Sequence, residues 1–225
     1  MRTQDPRSTF FGPTFTGVPP GSGVVALTFD DGPNGAHTQA LLDVLAEEEV
    51  RATFFVVGRA ASEQPALLQR MQRDGHAIGN HTWSHTHLNV RTRRAIAREL
   101  SATDNAIFSA TGMRTRLVRP PFGARSFFAL RVLRELGYTC VLWSVPLAHE
   151  WQYPGSATIA QRILSSTDDG AVIALHDGDR GRPADRSQLP HAVRSIVRGL
   201  RERGLGFVTV PEMIAGPFLG TAKNA

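Results

Sequence analysis

The sequence predicts an α/β fold of parallel strands joined by helical crossovers. From Val24 onward, short apolar runs alternate with longer amphipathic stretches, the pattern of repeated strand–helix units. Polar clusters recur just past the C-terminal ends of three strand-like runs, at Asp30-Asp31, His81 to His85 and His176-Asp177. A barrel would collect those ends on one face. Composition agrees, because 225 residues that are 41% hydrophobic bury a sizeable core in one domain. Periodicity alone does not separate a closed barrel from an open doubly wound sheet.

The elements follow in order. Val24–Phe29 is a strand, since Val24-Val25-Ala26-Leu27 is continuously apolar and Gly32-Pro33 ends the run. A helix is expected over Thr38–Glu49, a strand over Ala52–Val57, and a helix over Glu63–Arg73 that Asp74-Gly75 caps. Next come a strand at His76–Asn80, a helix at Thr92–Thr111 and a strand at Leu117–Arg119. Phe127–Leu136 reads as a helix closed by Gly137, and Thr139–Val145 as a strand rich in β-branched and aromatic residues. A helix at Ala157–Ser166, a strand at Ala171–Leu175 and a helix at Arg186–Arg203 capped by Gly204 lead to a last strand at Gly206–Val210. Residues 1–22 form an arm without periodicity, 23–215 the domain and 216–225 a tail. There is no internal repeat, linker or second domain.

The formal net charge of +5 is almost wholly arginine, Lys223 being the one lysine. A compositional bias of the source genome is the first explanation, and attraction to an anionic surface such as a cell-wall polymer the second, for which Arg91, Arg93, Arg94 and Arg98 on a helix-like stretch could form a basic patch. No stacking motif or recognition module accompanies the charge, so nucleic acid is not an expected partner. The single Cys140 sits in a strand pattern and reads as an inert core thiol that forms no internal disulfide. The arm lacks the apolar core of a signal peptide, and no later run reaches transmembrane length. As written the chain reads as cytoplasmic, with action outside the cytoplasm expected if it is a trimmed form.

Two adjacent carboxylates, Asp30 and Asp31, lie where a buried strand opens into a loop. Consecutive carboxylates repel and lose hydration unless a metal or cation compensates them. They mark either a metal and acid/base site or a turn that uses Asp and Gly for local geometry. His81 and His85 are four residues apart, which puts both rings on one face if the stretch is helical and lets both reach one divalent ion. His176 closes a third apolar run.

Thr28-Phe29-Asp30-Asp31-Gly32-Pro33, His81-Thr82-Trp83-Ser84-His85, Arg119-Pro120-Pro121-Phe122-Gly123 and Leu175-His176-Asp177 resemble, in that order, the motifs of the polysaccharide deacetylases. That family is carbohydrate esterase family four, the NodB homology domain, and the resemblance runs from Val24 to Pro211. It implies a single-domain distorted (β/α)7 barrel of the NodB type. It further implies that Asp31, His81 and His85 hold one divalent metal ion, zinc first, with cobalt or nickel as alternatives. Asp30 is then the general base, oriented by Arg119, and His176 the general acid. The backbone N–H of Phe122 joins the metal at the oxyanion, and Pro120, Trp151 and Ala174 border the substrate. The implied reaction is hydrolysis of an acetamide on an N-acetylglucosamine-containing polysaccharide or oligosaccharide, of chitin or peptidoglycan type.

The chain departs from the pattern between Arg119 and His176. Glu150-Trp151 stands where relatives carry Asp-Trp, so Glu150 is expected to support His176 through a side chain one methylene longer. Pro146 replaces an acid, His149 adds an ionisable neighbour, and Ala174 replaces a leucine of the acetyl pocket, which hints at a looser pocket. A non-catalytic carbohydrate-binding protein on the same scaffold, an esterase acting on acetylated xylan and a small-molecule amidase are the alternatives.

Overall fold

The computed structural model describes residues 5–217, so most of the expected tail, with Lys223, lies outside the described residues. The strands are β1 (Val24–Asp30), β2 (Thr53–Val56), β3 (Ala77–Asn80), β4 (Leu117–Val118), β5 (Thr139–Cys140), β6 (Val172–His176) and β7 (Gly206–Phe207). Between them run α1 (Gly35–Glu47), α2 (Gly58–Glu63), α3 (Pro65–Arg73), α4 (Arg93–Thr111), α5 (Phe127–Glu135), α6 (Ser156–Ser166) and α7 (Gln188–Glu202), and α8 (Val210–Ala215) follows β7. The seven-stranded sheet has the order β5-β4-β3-β2-β1-β6, with β7 on β1. Every strand pair is parallel. This is the curled (β/α) barrel that the alternation and the motif order led us to expect.

Period two along each strand sorts the side chains into an outward and an inward face. Leu27, Phe29, Phe54, Ile173 and Leu175 face outward and pack under the helices with Leu41, Leu45, Ile159, Val193 and Val197, all buried. Ala26, Phe55, Leu117, Val141 and Val172 face inward. Each fully buried Leu, Ile, Val or Phe contributes roughly 1.5–3 kcal/mol by leaving water. The expected helix ends at Gly75, Gly137 and Gly204 all carry φ between 78° and 80°, the left-handed conformation that a helix terminus uses.

Four stretches differ from expectation. The expected helix over Glu63–Arg73 is two helices, because Pro65 takes the N1 position of α3 and α2 ends at Glu63. The strand expected over Thr139–Val145 is laddered to β4 only through Cys140. Beyond it the arm takes over: Phe15 donates its N–H to Cys140 O at 2.8 Å and accepts from Leu142 N–H at 2.8 Å. Val18 N–H then reaches Gly170 O at 2.9 Å, and Ser144 N–H bonds Val172 O at 3.0 Å. Residues 15–18 thereby bridge the two free edges of the sheet. The strand expected over Gly206–Val210 stops at Phe207, and α8 begins at Val210 behind a capping box of Thr209 and Glu212. Val210 and Met213 of α8 are fully buried against Ala26, Phe55 and Val172, and plug the barrel floor. Finally, the segment from His81 to His85 is a loop, not a helix.

Candidate active site

The C-terminal strand ends meet at a cavity of about 500 Å³ lined by Asp30, Asp31, His81, His85, Phe122, Trp151 and His176 among others. A hollow of about 920 Å³ between the arm and α5 shares none of its lining residues with that cavity.

Asp31 Oδ1 lies 2.9 Å from His85 Nε2 and 3.4 Å from His81 Nε2. One ligand atom from each of the three residues lies within 4.8 Å of the others, and all three residues are buried. The two imidazoles converge through a loop in which Thr82 has φ 66° and His85 φ 54°, and not through a helical face. Left-handed backbone in non-glycine residues costs on the order of 1–3 kcal/mol each and persists where the surroundings impose it. His81 Nδ1 is 2.8 Å from Arg119 O. Nδ1 therefore carries the proton, which leaves Nε2 as the ligand atom turned to the space shared with Asp31 and His85.

Burial opposes charge on Asp31, yet the two imidazoles and cationic His176 hold its carboxyl well below the usual range. The His85 pKa is lowered too, because burial outweighs the pull of Asp31, and a lowered value keeps the ring neutral. A carboxylate beside a neutral imidazole is the donor set of a divalent cation. Asp31 Oδ1 and His85 Nδ1 are buried without a hydrogen-bond partner among the described residues, and a cation would compensate the former.

Asp30, at the end of β1, points into the barrel with Thr28 below it. Arg119, fully buried, donates Nη1 to Asp30 Oδ1 and Thr28 Oγ1, both at 2.7 Å. Its Nη2 reaches Leu142 O at 3.0 Å and its Nε Val141 O at 3.3 Å, while its plane lies 4.2 Å from the Phe55 ring centroid. Each guanidinium nitrogen thus has an acceptor, which a buried charge requires.

Asp30 and His176 are register partners on β1 and β6. His176 Nδ1 is 2.6 Å from Glu150 Oε1, and Glu150 is fully buried. Burial works against a charged ring, but Glu150, helped by the fields of Asp31 and Asp30, lifts the His176 pKa to about 9. Glu150 enters from a single turn between His149 at φ 56° and Tyr153 at φ 54°. Trp151 follows, 38% exposed, with its ring edge-on to His176 at 5.2 Å. His149 packs on Trp151 at 4.9 Å and lies outside the cavity lining.

Phe122 has φ 60°, and its ring lies parallel to His87 at 4.1 Å and edge-on to His85 at 4.7 Å. Two expected border residues are absent from the cavity wall. Pro120 is buried and accepts from Gly123 N–H at 3.0 Å. Ala174, 1% exposed, lies one inward-facing position below His176 on β6. The wall instead includes Leu147, from the loop after β5.

Sequence reasoning also passed over Tyr153, Arg180 and Arg186, which line the cavity from the loops after β5 and β6. A long polar loop directly after a site-bearing strand was the available signal. Asp177 went without a role as well. Its carboxyl lies against Gly32, where a Cβ would come within 2.1 Å of Oδ2, and bonds Thr38 Oγ1 at 2.5 Å. Burial, followed by the charges of Asp31 and Asp30, raises its pKa to about 7 despite the Thr38 bond.

A family profile for polysaccharide deacetylases matches residues 17–141. The chain is 37% identical over 199 residues to a chitooligosaccharide deacetylase of Sinorhizobium fredii, covering 85% of this chain and 92% of that protein. It is 32% identical over 189 residues to the peptidoglycan-N-acetylglucosamine deacetylase PgdA of Listeria monocytogenes, covering 84% of this chain but 38% of that longer protein. In structure it is similar to the Bc1960 peptidoglycan N-acetylglucosamine deacetylase, with a TM-score of 0.85 and 30% identity over 91% of this chain and 94% of that one. Sequence and architecture agree, and the chain belongs to the polysaccharide deacetylase family.

Proposed function

We propose that this protein is a metal-dependent hydrolase that removes N-acetyl groups from a polysaccharide or oligosaccharide containing N-acetylglucosamine. One observation carries the reading. An Asp–His–His triad shares its cavity with two buried carboxylate–cation pairs, each of which presents one member to the substrate space. Asp31, His81 and His85 would hold the divalent ion, and imidazole with carboxylate suits zinc, cobalt or nickel. Such an ion supplies Lewis acidity, activating water and polarising the acetamide carbonyl.

The remaining steps belong to the chain itself. Asp30, fixed by Arg119, takes the proton of the water that attacks the carbonyl carbon. The Phe122 N–H donates to the oxygen on which negative charge develops. His176 gives its proton to the sugar nitrogen as the carbon–nitrogen bond breaks, leaving acetate and a free amine. Trp151 and Phe122, both partly exposed, offer apolar faces to the sugar ring. The names of the relatives support peptidoglycan or chitin-type saccharides as the substrate class.

The test is acetate release from N-acetylglucosamine oligomers by metal-stripped protein, before and after adding zinc or cobalt. Release returns with metal, and Asp30→Asn lowers it by about 10²–10⁴-fold, the usual contribution of a general base, while metal content persists. Absence of release from those oligomers, from peptidoglycan and from acetylated xylan would overturn the reading in favour of a binding protein.

A further inference from the structure

The metal loop is held in its left-handed conformation by a line of side chains that no step above uses. It starts at Asn80, the last residue of β3, fully buried like Thr82. Asn80 Oδ1 accepts the Thr82 N–H at 2.8 Å, closing the turn that carries His81 and His85. An amide can present either end, so something must choose. Here Nδ2 donates to Leu100 O at 2.9 Å and to Asp104 Oδ1 at 2.7 Å, both on α4. These partners only accept, which leaves Oδ1 to face the loop. Asp104 is itself held, since its Oδ2 accepts from Tyr138 Oη at 2.5 Å. Gly58 N–H and Arg59 N–H, bonded to Thr82 O and Trp83 O at 2.9 and 3.2 Å, brace the loop from the other side.

We propose that Asp104, clamped by Tyr138, is a positioning residue that presets the metal loop by locking the Asn80 amide. Asp104 touches no atom of the ligand triad. Its carboxylate joins the Leu100 carbonyl in holding the amide orientation, the orientation holds the Thr82 turn, and the turn aims the two imidazoles at Asp31 before any ion arrives. Preset ligands bind more tightly than ligands that must be ordered on binding. Partners one bond removed from a metal's ligands typically change its affinity by 10- to 100-fold.

The experiment is cobalt(II) titration of the metal-stripped full chain, followed by the visible absorption of the bound ion. Asp104→Leu raises the cobalt dissociation constant by about 10-fold, the low end of the range for groups bonded directly to a ligand, and alters the spectrum at saturation, while the metal-free protein still unfolds in one cooperative thermal transition. Asp104→Asn keeps an oxygen for Asn80 Nδ2 and restores near wild-type affinity. Tyr138→Phe gives a smaller rise in the same direction. Wild-type affinity in Asp104→Leu overturns the proposal. Should that variant fail to fold, unchanged affinity in Tyr138→Phe overturns it equally. The inference rests on Asp31, His81 and His85 as ligands, so a wild-type chain that takes no cobalt sinks both. A wild-type chain that binds cobalt but releases no acetate counts against the deacetylase reading alone, and the titration still decides the role of Asp104.

Discussion

Asp30–Arg119 and Glu150–His176 are two carboxylate–cation pairs at the rim of one barrel, with the cavity-facing member reversed. In the first, the carboxylate faces the cavity and the cation stands behind it; in the second, the cation faces the cavity and the carboxylate is hidden. The first is built on the sheet, because β1 sets Asp30 and Arg119 follows directly on β4 with acceptors on Thr28, Val141 and Leu142. The second joins a strand residue to a loop residue, and that loop needs two left-handed residues to deliver Glu150. Low dielectric makes each pair strong and makes each unpaired member costly. One environment therefore yields a carboxylate fixed by its cation and an imidazole charged by its carboxylate, side by side.

The comparison breaks most readily at Arg119. Removing it as Arg119→Leu strands Asp30 in the barrel, and losing one partner of a buried pair costs about 3–5 kcal/mol. Chemical denaturation of the metal-free protein reads that loss directly. An unaltered midpoint would mean that the pair is not a structural unit.

Glu150→Gln is the matching cut on the other side. It removes the group that lifts His176, so the ring's pKa falls from about 9. Proton binding by the folded state adds stability that is complete below the ordinary histidine value of 6.5 and is lost as pH rises through about 9. Wild-type, metal-free protein therefore loses stability across that window, and Glu150→Gln flattens the loss. His76 supplies the contrast. It is a buried histidine with no carboxylate in hydrogen-bond reach among the described residues, its Nδ1 accepts the Ala52 N–H at 3.1 Å, and burial lowers its pKa to about 4 against the field of Asp74. In a proton NMR titration the two rings titrate on opposite sides of 6.5. Titration of both on one side would undo the argument that the partner, not the burial, decides.

The smallest effect is expected at Trp151, which touches the second pair edge-on and remains partly exposed. Trp151→Ala forfeits aromatic contact worth about 0.5–1.5 kcal/mol. KM for a chito-oligosaccharide rises by roughly two- to tenfold with kcat little changed. A collapse of kcat instead would place Trp151 in the orientation of His176.

Much of this was legible residue by residue. Asp30, Asp31, His81, His85 and His176 each follow a strand-like run and Arg119 ends one, and a parallel sheet delivers its strand ends to one place. Glu150 was legible as a substitute for the family's aspartate. The route by which His81 and His85 meet was not, since a spacing of four suits a helix and the loop reaches the same end with left-handed backbone at Thr82. The α8 helix was hidden by β-prone Phe207, Val208 and Val210, although Thr209 and Glu212 carry a capping-box signal. The arm left no pattern, because residues 15–18 meet the sheet through scattered bridges with no periodic ladder.

By itself the sequence determined the strand–helix alternation and the chemical types gathered at the rim. Those properties are local: each depends on a residue's own neighbours in the chain and on which face of a strand it occupies. Tertiary structure alone decided that Leu147 and not Ala174 walls the cavity, and that Tyr138 steadies a loop more than fifty residues earlier through Asp104 and Asn80. Such contacts join residues far apart in sequence. Their energy comes from excluding water around a polar group that already has its partner, and no single segment can supply both.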